Sequence, residues 1–112
     1  LEMCQGSGTA AELDFDEVPT LDRSALMSYH EQGCVPGGAR RNFKSYGEHI
    51  DIPEGFTLDL LCDPQTSGGL LVSVEEASIE NVKNILRECN LPVNIIGKIK
   101  EHSEGETIVT LI

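Results

Sequence analysis

No stretch of about 18 apolar residues occurs in this 112-residue chain, which excludes a membrane-spanning helix. Its first residues do not pass from basic to apolar to small, as a secretory leader does. Positive charge is scarce: eight Lys and Arg stand against nineteen Asp and Glu, a net charge of −11. Such a surface repels nucleic acid and anionic lipid, so neither is expected as a partner. Close cysteine pairs are missing too. Cys4, Cys34, Cys62 and Cys89 are singly and widely spaced, with no Cys-x-x-Cys and no His-x-x-x-His beside them. A structural zinc site draws its ligands in close pairs from tight turns, so no metal is expected on these residues. The cysteines read as reduced and mostly buried small apolar groups, and His30, His49 and His102 as surface residues. These absences describe a soluble cytoplasmic domain.

Residues 1–112 suit a single domain, and a 39% apolar share belongs to a chain that can bury a core. Leu1–Cys4 reads as the tail of a helix, followed by the breaker run Gln5-Gly6-Ser7-Gly8. The cut is therefore expected to lie inside the domain, after its first strand. Ala11–Phe15 alternates apolar and acidic side chains, the period of a strand with one buried face. Asp22 can cap a helix through Leu26, Met27 and Tyr29 that Gly33 ends. Pro36-Gly37-Gly38 reads as a turn, Ala39–Tyr46 as a short helix and Gly47–Gly55 as a loop. Leu70–Val74 has the unbroken apolar character of a buried strand. Glu75 and Glu76 suit a helix N-terminus, and Ile79, Val82, Ile85, Leu86 and Cys89 form an apolar stripe at helical spacing before Asn90 and Pro92. Val93–Ile99 and Thr107–Ile112 complete the pattern as strands. The expected class is α+β, a mixed sheet with helices on one side.

Two segments carry more chemistry than packing requires. Gly37-Gly38-Ala39-Arg40-Arg41-Asn42-Phe43-Lys44 gathers three of the eight cations behind a pair of glycines. Backbone N–H groups at a helix start, joined by guanidinium forks, suit a phosphate. The same residues read equally as a turn followed by a solvated basic face. Asp63-Pro64-Gln65-Thr66-Ser67-Gly68-Gly69 offers a carboxylate, an amide, two hydroxyls and two glycines. Small residues in succession let main-chain N–H groups converge on an anion, or simply allow close packing. No Gly-Lys-Ser or Gly-Lys-Thr follows, so it is not a Walker loop.

At these segments the chain resembles a known family. Cys62-Asp63-Pro64-Gln65-Thr66-Ser67-Gly68-Gly69-Leu70-Leu71 is similar to the signature near the C-terminus of selenide, water dikinases (selenophosphate synthetases). Val35-Pro36-Gly37-Gly38-Ala39-Arg40-Arg41-Asn42 resembles a second family signature, where Thr often replaces Ala39. Glu2-Met3-Cys4-Gln5-Gly6-Ser7-Gly8 resembles a third, in the same order. The resemblance implies the C-terminal domain of an AIR-synthetase-like, homodimeric enzyme. That enzyme makes selenophosphate from selenide, ATP and water, releasing AMP and phosphate, with Mg2+ on the nucleotide. It implies that the nucleophilic Cys or selenocysteine, the catalytic Lys and most ATP and metal ligands belong to an N-terminal domain. A further metal-binding Asp would lie just before Leu1. None of the cysteines here holds the catalytic place, and the fragment alone is expected to be inactive, with no nucleotide or metal bound. What it can supply is a cleft lined by Arg40, Arg41, Asn42, Asp63, Gln65, Thr66, Ser67, Gly68 and Gly69. Two other readings remain: a non-catalytic anion-binding domain, and another ATP-dependent enzyme of the fold, such as an amidine-forming synthetase acting on a purine precursor.

Overall fold

A computed structural model describes residues 1–112. Helix α1 (Glu2–Ser7) leads directly into strand β1 (Thr9–Leu13). The glycine and serine of the expected breaker run are taken into this helix, because Ser7 Oγ donates to Met3 O at 2.8 Å. The stop falls at Gly8, whose positive φ of 67° lets its N–H return to Cys4 O. β1 begins earlier than its alternation suggests and ends at Leu13. There the Asp14 side chain accepts the Asp16 N–H and starts a 3-10 turn over Phe15–Glu17. The helices α2 (Arg23–Glu31), α3 (Gly37–Tyr46), α4 (Phe56–Leu61) and α5 (Ile79–Glu88) follow, with the short strand β2 (Ile50–Asp51) between α3 and α4. β3 (Gly97–Glu101) and β4 (Val109–Leu111) close the chain.

These strands form one mixed sheet in the order β2-β4-β1-β3. β1 is antiparallel to β3, with Thr9 opposite Glu101 and Leu13 opposite Gly97. It is parallel to β4, with Ala11 opposite Val109, and β4 is parallel to β2. The α+β class is as expected. Lying between two neighbours, β1 holds the small buried pair Ala10 and Ala11. Gly47–Gly55 is not wholly loop. The edge of β4 offers a parallel ladder, and Ile50 and Asp51 take it opposite Val109 and Thr110. The last two strands are shorter than their apolar runs, since pairing extends only as far as β1 does.

Leu70–Val74 departs furthest from expectation. It is not a strand, and Leu70, Leu71 and Val72 are 92%, 61% and 57% exposed. No backbone hydrogen bond involves residues 66–74. An apolar run forms a buried strand only where a ladder partner is present, and no strand of this sheet lies against it. α5 shows the same deficit. It starts at Ile79 after a 3-10 turn over Glu76–Ser78, and this turn is its only extended contact. Its stripe is therefore half-buried at best, with Ile85 exposed.

The core is correspondingly thin, against the expectation of a substantial one. Eight of 112 residues are buried, none with a large, fully enclosed side chain. The radius of gyration is 15.1 Å, against roughly 13 Å for a close-packed domain of this length. The cysteines are free, but only Cys4 is buried, with Cys62 partly so. Cys34 follows α2 in a loop and Cys89 ends the weakly packed α5, so both are exposed. His30 is half-buried rather than freely solvated. Its Nε2 lies 2.9 Å from Oδ2 of the buried Asp59, joining α2 to α4. The Phe56 ring stands edge-on to the imidazole, with centroids 5.5 Å apart.

Glu12 clamps β1 to β3 through Lys98 at 2.9 Å and Lys100 at 3.1 Å. The hydrogen bonds from Lys98 and then Lys100 hold its carboxyl below the ordinary range. A carboxyl depressed on folding contributes stability above its unfolded pKa, and that contribution is lost as pH falls through the folded value. Urea midpoints should therefore decline as pH drops below about 4.5. Glu12→Gln should be less stable than the parent at neutral pH and should lose part of that acid dependence. Equal acid slopes for the two proteins would refute the assignment. Solvent reaches the pair, so the effect is small.

Candidate functional site

The two sequence segments meet where α3 passes the turn after α4. Pro36, at φ −60°, directs the chain into α3 as its N-cap residue. α3 thus starts at Gly37, earlier than the turn reading allows. Gly38 is buried, and the Pro64 ring occupies the space its side chain would need. One turn on, Asn42 Nδ2 donates to Cys62 O at 2.9 Å. The turn is closed by Asp63 N–H donating to Leu60 O and Gln65 N–H donating to Asp63 O. The structure therefore brings Gly38 and Asn42 together with Cys62, Asp63 and Pro64. Asn42 thus ties α3 to the turn through its amide nitrogen.

Beyond Pro64 the chain is held by little. Gln65 lies over Gly68, its Oε1 3.4 Å from where a Cβ would stand. Thr66, Ser67, Gly68 and Gly69 are exposed. Gln65–Gly69 line a shallow cleft of about 510 Å³ together with Pro19, Thr20 and Leu21 from the stretch ahead of α2. The contribution of 19–21 is invisible in the sequence, since nothing local links it to a loop 45 positions further on.

Arg40 and Arg41 do not border that cleft and lie exposed on α3. Their electrostatic position is unusual for this chain. Arg23, Lys83, Arg87, Lys98 and Lys100 all pair with carboxylates. Arg40, Arg41 and Lys44 pair with none, although acids outnumber bases by nineteen to eight. All three unneutralised cations thus stand on one helix, whose first turn has no acidic residue and no capping side chain. Such a helix attracts an anion. The Cys62 thiol points to a different role. Burial, and then the Asp59 carboxylate, push it above its ordinary range, so it stays protonated at neutral pH. No group of His, Cys, Asp and Glu is placed to hold a metal ion.

The arrangement has clear relatives. Residues 1–110 match the family model described as AIR synthase related protein, C-terminal domain. The chain is 52% identical over 99 residues to a selenide, water dikinase of Colwellia psychrerythraea, covering 88% of this chain and 28% of that protein. It is 44% identical to one from Aeromonas hydrophila and 43% to one from Haemophilus influenzae, covering 96% and 97% of this chain and 31% of each relative. The chain thus spans less than a third of the length of these relatives.

Proposed function

The chain belongs to the AIR synthase related protein, C-terminal domain family, and on that premise we propose that it is the C-terminal domain of a selenide, water dikinase. Residues 1–112 form one domain whose first strand and catalytic partner domain lie upstream. The whole enzyme makes selenophosphate from selenide, ATP and water, releasing AMP and phosphate, and works as a cytoplasmic homodimer. The observation that carries the reading is the identity of 43–52% with three such enzymes over at least 88% of the chain. The unpaired cations of α3 support a role beside the phosphates of ATP. Magnesium finds no set of carboxylates here, so its ligands are assigned to the upstream domain. The unpartnered Leu70–Val72 run agrees with an absent strand.

This domain acts by presenting α3 and the Gln65–Gly69 loop to the nucleotide, with Arg40 or Arg41 donating to a phosphate oxygen. Loss of a charge-assisted hydrogen bond costs roughly 1.5–3 kcal/mol, or about ten- to hundredfold in rate when the bond is made in the transition state. In the full-length protein, at least one of Arg40→Ala and Arg41→Ala should lower selenophosphate formation by that factor. Phosphorus NMR measures the product, and circular dichroism confirms that the variants fold. Wild-type rates in both would show the basic turn to be a solvated face. A full-length protein making no selenophosphate, but forming an amidine with ATP, would replace the reading with that of a purine-type synthetase.

A further inference from the structure

Arg23 occupies the first position of α2, a place that disfavours a cation because the helix dipole is positive there. Its guanidinium is not turned to solvent. One nitrogen reaches Asp16 Oδ1 at 2.9 Å, and the other donates to Phe15 O at 2.8 Å and Val18 O at 3.1 Å. The group also lies over the Phe15 ring, 4.5 Å from its centroid, within the range of a cation–π contact. Phe15 is in turn packed edge-on against Phe56 of α4, with centroids 6.2 Å apart. One side chain thus fastens the end of the 3-10 turn to the start of α2 and, through Phe15, to the element that carries Cys62 and Asp63.

The stretch between these two fixed points is Pro19-Thr20-Leu21, which shares the cleft with Gln65–Gly69. Within it the one hydrogen bond is local, Thr20 Oγ1 donating to Leu21 O at 2.9 Å, while Asn94 Nδ2 donates to Glu17 O in the turn before it. After Val18 no backbone hydrogen bond forms until Leu26 N–H donates to Asp22 O, and Leu21 is 84% exposed. Asp22 fixes the far end as N-cap of α2, accepting from Ala25 N–H at 2.9 Å.

From this geometry we infer that Arg23 is a positioning residue for the cleft. It holds the Pro19–Leu21 wall at the spacing from Thr66 and Ser67 that the bound substrate requires. This rests on the reading that the cleft faces the nucleotide in the full-length enzyme. A fork that bridges two carbonyls and a carboxylate is geometry that only Arg supplies, so Lys cannot substitute for it.

The test compares full-length Arg23→Gln, Arg23→Lys and Thr66→Ala proteins with the parent. It uses steady-state kinetics in ATP and amide hydrogen exchange of residues 16–22. Arg23→Gln should raise KM for ATP by about fivefold to tenfold with kcat within about twofold, and Arg23→Lys should share most of the defect. Exchange of the hydrogen-bonded Asp16, Glu17 and Val18 N–H groups should quicken about tenfold, and α5 should exchange as in the parent. Quickened exchange with an unchanged KM, while Thr66→Ala raises KM, would overturn the inference and leave Arg23 a structural tie. If neither Arg23→Gln nor Thr66→Ala moves any kinetic constant, the cleft does not face substrate, and the inference fails with the reading beneath it. Should Arg23→Gln not fold, Arg23→Lys carries the same comparison.

Discussion

Gly97→Val should remove much of this chain's stability. Gly97 opens β3 opposite Leu13, and a Cβ there would run into the Glu12 carbonyl oxygen and stand 3.0 Å from Leu13 Cα. All of these obstacles are backbone, so no rotamer change relieves them. The β1–β3 ladder has to open at its Leu13 end, which also breaks the bond from Asp14 N–H to Ile96 O. Overpacking of this kind costs roughly 1–3 kcal/mol, and more where the neighbour cannot yield. Against a thin core, expected near the lower end of the ~5–15 kcal/mol range of native stabilities, such a loss removes much of the margin. Urea titration followed by circular dichroism should show the midpoint falling sharply. Gly69→Ala is the control, since that site has open space and no positive φ. A Gly97→Val midpoint matching that of Gly69→Ala would mean that the two strands do not approach this closely at residue 97.

Gly38→Val should have a moderate effect on stability and a large one on activity. The obstacle here is the Pro64 ring, with Cβ and Cδ at 3.1 and 3.2 Å and Cγ nearer still. Pro64 is exposed and sits in a loop, so it can be pushed aside. The displacement then passes to its neighbours. It strains the Asn42 to Cys62 O bond and carries Gln65–Gly69 away from Pro19–Leu21. Misplacement of a site by about 1 Å costs on the order of a hundredfold in rate. In the full-length enzyme, kcat/KM for ATP should fall by about that much, with a stability loss of roughly 1–3 kcal/mol by urea titration. Near-parental kinetics in a folded Gly38→Val protein would separate the loop's position from the reaction.

Local chemistry was legible wherever one segment decides its own conformation. Asp22 caps α2 as its spacing suggests, and Gly33 follows at φ 79°. Leu70–Val74 shows the opposite case. Its sequence states what the run would bury, but whether it pairs depends on chain elsewhere, and here no partner lies against it. His30 gave no local sign of Asp59, since a dispersed histidine acquires a partner only through tertiary packing. At the candidate site, the residue types in both segments suited anion chemistry and plain packing alike. Their division of labour did not show, because an Asn beside two Arg residues reads as one more donor until Cys62 O is seen to accept from it. Arg23 left one faint trace, a cation where the helix dipole disfavours one.

The strand order also governs when this domain can fold. β1 lies within the first thirteen residues, yet both its partners, β3 and β4, belong to the last sixteen, and β2 reaches the sheet only through β4. Every ladder therefore closes a loop over most of the polypeptide or waits on a strand completed near Leu111. High contact order of this kind slows folding, because chain entropy is lost before any pairing compensates it. During synthesis β1 is made well before β3 and β4 and stays without partners until they follow. Its Thr9–Leu13 edge is open to other nascent chains until then, and the sheet can first assemble only once β4 has been made.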